Sequence, residues 1–150
     1  MLLVKTKLGQ SEFLGLGLFA AQDIAEEMPI WEFTPGFDLM LHKDFVDFKL
    51  SEEARRQVVH YGWREGDIYF LTADDSRFWN HSTDPNTKAV DFKVGRPKVY
   101  EDLGGDRGRC YTLMIVAKRN IKEGEELTCA YDEFDDDYDP AFSTKDNNRM

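Results

Sequence analysis

The stretch Arg77-Phe78-Trp79-Asn80-His81-Ser82-Thr83-Asp84-Pro85-Asn86 decides how this chain reads. Two aromatics abut a run in which almost every side chain can hydrogen-bond. Asn, Ser, Asp and Pro form turns, each for its own reason: local side-chain bonds to the backbone, or a fixed φ. A purely structural loop seldom needs both Asn80 and His81 directly after Phe78-Trp79. The run predicts a loop pinned at its aromatic end in a core and used at its polar end to hold something polar.

Working outward, most segments read as short strands. Val4–Leu8 and Phe13–Phe19 are apolar-rich and broken by Gly9, Gly15 and Gly17. Pro29–Phe33 ends at the turn signal Thr34-Pro35-Gly36. Asp67–Thr72 is β-branched and aromatic, and Val90–Val94 alternates with period two. Cys110–Ala117 is almost continuously apolar, which suits a buried strand. One helix is expected after Ser51. Ser51 caps it, Glu52 and Glu53 suit the positive end of its dipole, and Gly62 ends it. Ala54, Val58 and Tyr61 share one of its faces. Asp44–Leu50 is a weaker second helix, and Glu101–Arg109 reads as a hairpin tip or mobile loop. The expected class is mostly β with one or two short helices.

An internal echo follows A-x-x-[DN]-I-x-E. Ala20-Ala21-Gln22-Asp23-Ile24-Ala25-Glu26 matches Ala117-Lys118-Arg119-Asn120-Ile121-Lys122-Glu123. Two copies do not make a solenoid, so each is read as a turn between strands. Near the end, six of the eight residues Asp132–Asp139 are acidic, with Phe134 and Tyr138 interleaved. A solvated acidic tail needs no aromatics, and these two predict that the segment packs back over a site.

A length of 150 residues fits one domain with a sizeable core. The net charge of −10, from 29 acidic against 19 basic residues, argues against direct nucleic-acid binding and suits a basic partner. Cys110 and Cys129 stand in no metal-ligand spacing, and His42 and His60 have no partner suggested by spacing, so no metal site is expected. The Asp-rich run lacks the Gly and terminal Glu of a calcium loop. No cleavage-site pattern and no membrane-length apolar run is visible. The expectation is a soluble, intracellular protein, with nuclear, bacterial-cytoplasmic and host-delivered settings all open. Gly15-Leu16-Gly17 lets backbone approach a ligand closely, but the third glycine of a dinucleotide fingerprint is missing.

Three motifs occur in one order: Gly15-x-Gly17, then Arg77-Phe-x-Asn-His-Ser-x-x-Pro-Asn86, then Glu126-Leu-Thr-x-x-Tyr131. Together they resemble the SET-domain protein-lysine methyltransferases, across most of the chain from Gly15 to Tyr131. The resemblance implies a SET-domain (β-clip) fold of several small sheets with a C-terminal pseudoknot. A single catalytic domain is expected at residues 1–138, and the polar residues 139–150, with little to bury, read as a frayed tail. The resemblance implies S-adenosyl-L-methionine as cofactor and a basic protein or peptide as substrate.

On that resemblance, the backbone at Leu16, Gly17 and Leu18 would hold the cofactor's methionine end. Asn80 and His81 would hold its adenine and amino-acid parts, with Tyr69 and Arg77 flanking. Tyr131 matches the tyrosine at the methyl-transfer point and is the expected catalytic residue. Phe33, Cys129, Phe134 and Tyr138 would line the substrate channel, with Phe142 a further candidate for its lid. Phe33 stands where many members carry a channel tyrosine. Cys129 stands where many carry an aromatic that limits how many methyls are added, so the product state stays open. Thr83 replaces a common Cys. A catalytically weak module that binds peptide or cofactor is the alternative, and a homodimer that completes the site stays open.

Overall fold

The computed structural model describes residues 1–91 and 112–139. The readings of Glu101–Arg109, Cys110, Phe142 and most of the 139–150 tail lie outside the described residues, as does the end of Val90–Val94. Four small sheets carry the described chain. β1 (Thr6–Gln10) and β2 (Leu16–Ala20) form a hairpin with Gly9 opposite Gly17. β3 (Pro29–Glu32), β8 (Thr87–Asp91) and β9 (Thr112–Ala117) form an antiparallel sheet with β9 central. β4 (Leu39–His42), β5 (Trp63–Glu65) and β6 (Ile68–Leu71) form another with β6 central. β7 (Asn80–His81) and β10 (Thr128–Cys129) form the fourth, and their pairing is parallel.

Most of these strands lie where the sequence puts them, shifted by a residue or two. The first begins at Thr6 instead of Val4 because its register with β2 starts at Thr6 opposite Ala20. Asn80–His81, read as part of a loop, is the strand β7. β4 and β5 were not foreseen. Each is short, and each is held as a strand by pairing on opposite sides of β6.

The helices follow their caps. α2 (Glu52–Tyr61) starts where Ser51 Oγ accepts from the Ala54 N–H at 3.2 Å, and the Gly62 N–H closes it onto Val58 O. α1 (Lys43–Phe48) starts at His42, whose Nδ1 accepts from the Asp44 N–H at 3.2 Å. That gives His42 a structural role its spacing did not reveal. Together the two helices cover one face of the β4–β6–β5 sheet through Val46, Val58 and Tyr69.

The internal echo has a structural meaning. Ile24 and Ile121 exchange both backbone hydrogen bonds, at 2.8 Å each. Asn120 Oδ1 accepts from the Glu26 N–H at 2.9 Å, and Asp23 Oδ1 accepts from the Glu123 N–H at 3.0 Å. Ala117 O accepts from Glu27 and Ala20 O from Gly124. The two copies are therefore matched turns that pair with each other, and the repeated Asp/Asn is the side chain that crosses between them. Ile24 and Ile121 are each 1% exposed and sit in the main core with Leu18, Ile30, Trp31 and Leu127. Burying isoleucines of this kind supplies roughly 1.5–3 kcal/mol each.

Candidate functional site

The site is built where β7 meets β10, two segments far apart in sequence. The Ser82 N–H donates to Cys129 O at 3.0 Å, extending the parallel pair. Just beyond, the Tyr131 N–H donates to His81 Nδ1 at 3.0 Å. An Nδ1 that accepts leaves Nε2 as the protonated nitrogen, so Nε2 donates to the Tyr138 hydroxyl at 3.1 Å. The rings of Tyr131 and Tyr138 lie 5.3 and 4.8 Å from the His81 ring. The Tyr131 hydroxyl donates to Trp79 O at 2.5 Å. Trp79 itself is 6% exposed, so the aromatic end of the run is pinned in the core as its sequence predicts.

A second cluster forms at the turn joining β1 and β2. Ser11 Oγ accepts from the N–H groups of Phe13 and Leu14 and donates to the Glu126 carboxylate at 2.8 Å. Asn80 Nδ2 donates to Leu14 O at 3.2 Å, Leu16 O at 3.0 Å and Glu126 Oε1 at 2.9 Å. The two glycines of the first motif therefore have different reasons. Gly15 has φ +51°, a conformation other residues adopt only with strain. Gly17 is needed because a Cβ there would sit 2.2 Å from Glu126 Oε1. It makes room for a carboxylate of the chain itself.

The third part is a cavity of about 70 Å³. Trp31, Tyr61, Trp63, Tyr131 and Phe134 give it aromatic walls, with Arg77, Cys129 and Asp135 also in its lining. Trp63 stacks on Phe70 and meets the edges of Trp31 and Phe134. The Arg77 guanidinium lies 5.7 Å from the Tyr61 ring centre and 5.2 Å from that of Phe78, within cation–π range. Burial pushes the Cys129 thiol well above its ordinary pKa, so it behaves as a small apolar wall. Among the described residues, three buried polar atoms have no hydrogen-bond partner: Trp31 Nε1, Thr72 Oγ1 and Trp79 Nε1. All three residues line this cavity.

The acidic segment does pack back, and Arg64 holds it. Arg64 donates through Nε and Nη2 to Asp137 Oδ1 at 2.9 and 2.5 Å, and its backbone N–H donates to Asp135 Oδ1. The Gly66 N–H donates to Asp136 Oδ2 at 2.7 Å. These bonds set Phe134 against Trp63 and Tyr138 against His81.

The sequence-predicted residues thus fall into groups. Leu16, Gly17, Leu18 and Asn80 meet at the β1–β2 hairpin, with Leu18 fully buried and Leu16 49% exposed. His81, Tyr131 and Tyr138 form the junction, and Arg77, Cys129, Tyr131 and Phe134 line the cavity. Two residues stand apart. Phe33 turns its ring onto Phe70 at 5.8 Å and is not part of the lining. Tyr69 faces the helices, and its hydroxyl donates to Asp137 Oδ2 at 3.1 Å. Burial and the Asp137 carboxylate push its pKa up to about 12. Sequence reasoning missed Trp31, Trp63 and Thr72 in the lining.

Comparison with known proteins agrees with this arrangement. The family model described as "SET domain" matches residues 15–132. The chain is 31% identical over 131 residues to the Candida albicans histone-lysine N-methyltransferase, H3 lysine-36 specific, covering 85% of this chain. The Mycosarcoma maydis protein of the same description is 28% identical over 152 residues. The chain spans only 14% and 13% of the lengths of these two relatives. Among solved structures, a candidate histone methyltransferase of Plasmodium falciparum aligns with a TM-score of 0.54 at 17% identity, over 85% of this chain and 93% of that one. At that identity it speaks for the fold alone. The structure of ctPRC2 in complex with H3K27me3 and H3K27M aligns with a TM-score of 0.58 at 27% identity, over 85% of this chain and 14% of that one. With the motif order, the parallel Asn80–Cys129 junction and a family match over most of its length, the chain belongs to the SET domain family.

Proposed function

We propose that this chain is an S-adenosyl-L-methionine-dependent protein-lysine N-methyltransferase acting on a basic protein or peptide tail. The observation that carries the reading is the meeting of His81 and Tyr131 beside an aromatic cavity with three buried polar atoms that have no partner among the described residues. The domain that does this work spans residues 1–138.

The chemistry of the donor set fits the cofactor. Its cationic centres suit aromatic walls and acceptor oxygens, and its purine suits a flat ring such as Tyr138 or His81. Gly17 and Asn80 would hold the methionine end, and His81 with Tyr138 the adenine side. When bound, S-adenosyl-L-methionine supplies a methyl group activated by a sulfonium. The chain has to align an amine with it and exclude water. A lysine amine has an ordinary pKa of about 10.4 and must be presented neutral. Walls formed by Trp31, Trp63 and Phe134 disfavour the ammonium by poor hydration. A Tyr131 hydroxyl that donates to Trp79 O would keep its oxygen as an acceptor for the substrate amine and so would orient it. No residue needs to ionise. The net charge of −10 favours a basic substrate, as does the description of the relatives as histone-lysine methyltransferases.

Labelled S-adenosyl-L-methionine incubated with a panel of basic proteins tests this, with Tyr131→Phe alongside. Transfer by the wild type and its loss in the variant are expected. Cofactor binding without any transfer would replace the enzyme with a binding module, and no cofactor binding would sink both.

A further inference from the structure

We infer that Trp31, Thr72, Trp79 and Arg77 form a subsite in the aromatic cavity for a carboxylate, and that the methyl-accepting substrate carries this carboxylate beside its target lysine. The inference rests on the methyl-transfer reading above and narrows its substrate class. Such a substrate is basic as a whole and acidic at one position near the lysine.

An indole N–H and a guanidinium only donate hydrogen bonds, and a threonine hydroxyl can donate one. Trp31 Nε1, Trp79 Nε1 and Thr72 Oγ1 are buried and have no hydrogen-bond partner among the described residues. All three residues line the cavity, and so does Arg77. Among the described residues, Arg55, Arg56, Arg64 and Arg119 each pair with a carboxylate, whereas Arg77 pairs with none. The rings of Tyr61 and Phe78 hold its guanidinium, at 5.7 and 5.2 Å from their centres. Four donors around one space call for a group rich in lone pairs. A lysine ammonium has none, and a neutral amine has one, which the methyl requires. A carboxylate has about four lone-pair sites on two oxygens, and its plane matches the guanidinium fork.

Size and neighbours agree. At about 70 Å³ the cavity is several-fold larger than the roughly 10–15 Å³ that one water occupies, so a group of several atoms fits. Asp135 also lines it, but Asp135 Oδ1 accepts from the backbone N–H groups of Arg64 and Asp137. Gly17 and Asn80, to which the reading above gives the cofactor's methionine end, do not line the cavity. The cofactor's own carboxylate therefore belongs elsewhere, and the substrate is the source. Arg77 cancels the charge of the bound carboxylate, so a neighbouring amine is still presented neutral.

The first arm of the test needs no turnover. The protein is titrated with sodium formate while nitrogen-15 NMR follows the indole N–H signals of its three tryptophans, with equal sodium chloride as control. Formate is expected to shift the Trp31 and Trp79 signals saturably. It should leave Trp63 unmoved, since Trp63 Nε1 already donates to Glu65 at 2.8 Å. Arg77→Gln is expected to weaken formate binding about tenfold or more, the scale of a hydrogen bond to a charged group, and Thr72→Val about fivefold. The second arm compares methylation of basic peptides that carry one lysine with either Glu or Gln at each neighbouring position. The wild type is expected to show a KM at least about fivefold lower for a Glu peptide than for its Gln counterpart, and Arg77→Gln to remove that preference. Formate that moves neither signal, or binds both variants as tightly as the wild type, overturns the subsite. Should Arg77→Gln not fold, unchanged formate binding in Thr72→Val does the same. Formate binding without a Glu preference assigns the subsite to a free anion and overturns the substrate's part in the inference. Formate binding with no methyl transfer to any peptide fails the methyl-transfer reading instead and supports the subsite.

Discussion

The corner around Glu126 and the cavity around Trp31 contrast in how their polar groups are satisfied. At the corner, Ser11, Asn80 and Glu126 bond one another and the backbone of the Phe13–Leu16 turn. In the cavity, Trp31 Nε1, Thr72 Oγ1 and Trp79 Nε1 are buried and have no hydrogen-bond partner among the described residues. A buried polar atom without a partner costs about 1–3 kcal/mol. The corner is thus finished by folding alone, whereas the cavity carries a cost that a ligand or ordered water can relieve.

Mutations can break this contrast. The largest effect is expected at the point where the regions meet. Tyr131→Phe should lower methyl transfer by about 100-fold or more while cofactor affinity changes by less than about threefold, since it removes one orienting hydroxyl. Single-turnover rates with labelled cofactor, read beside calorimetry, check this. An equal loss in both would move Tyr131 from chemistry to binding.

Next, Ser11→Ala should destabilise the fold by about 1–3 kcal/mol, because it strips partners from Glu126 and from two backbone N–H groups. Thr72→Val should leave stability unchanged or raise it by up to about 1 kcal/mol, since the lost hydroxyl has no partner among the described residues. Urea unfolding of both variants without ligand measures the pair. Matching losses would erase the difference between corner and cavity.

The smallest effect concerns the strap that closes the cavity. The Tyr69 pKa, raised to about 12 in the fold, exceeds its ordinary value near 10. The folded state therefore holds that proton more tightly, so its stabilisation is complete below about pH 10 and falls as pH rises toward about 12. Thermal melts across that window should show a decline that Tyr69→Phe reduces. An identical decline in the variant would detach Tyr69 from the strap.

How much of this was legible beforehand depended on the range of the interaction. Ser51 and Gly62 bound a helix through local bonds, and both are visible in the chain as such. Asn80, His81 and Tyr131 stood out because their residue types recur in the order of the family's motifs. Glu126 was visible as a letter of a motif, but its partner Ser11 lies 115 residues away and nothing in either neighbourhood names the other. Phe33 and Tyr69 show the converse. Each occupies a position that the family resemblance links to the site, and in the fold Phe33 packs on Phe70 while Tyr69 faces the helices.

By itself, the sequence determined the mostly-β class, the ends of the longer helix, the three ordered motifs and the acidic charge. These follow from backbone preference, periodicity and residue chemistry, all local properties. Tertiary structure alone decided why Gly17 is glycine, which way the Asn80 amide faces, and which aromatics wall the cavity. Those depend on which distant side chains come within a few ångströms, and only the closed fold sets that.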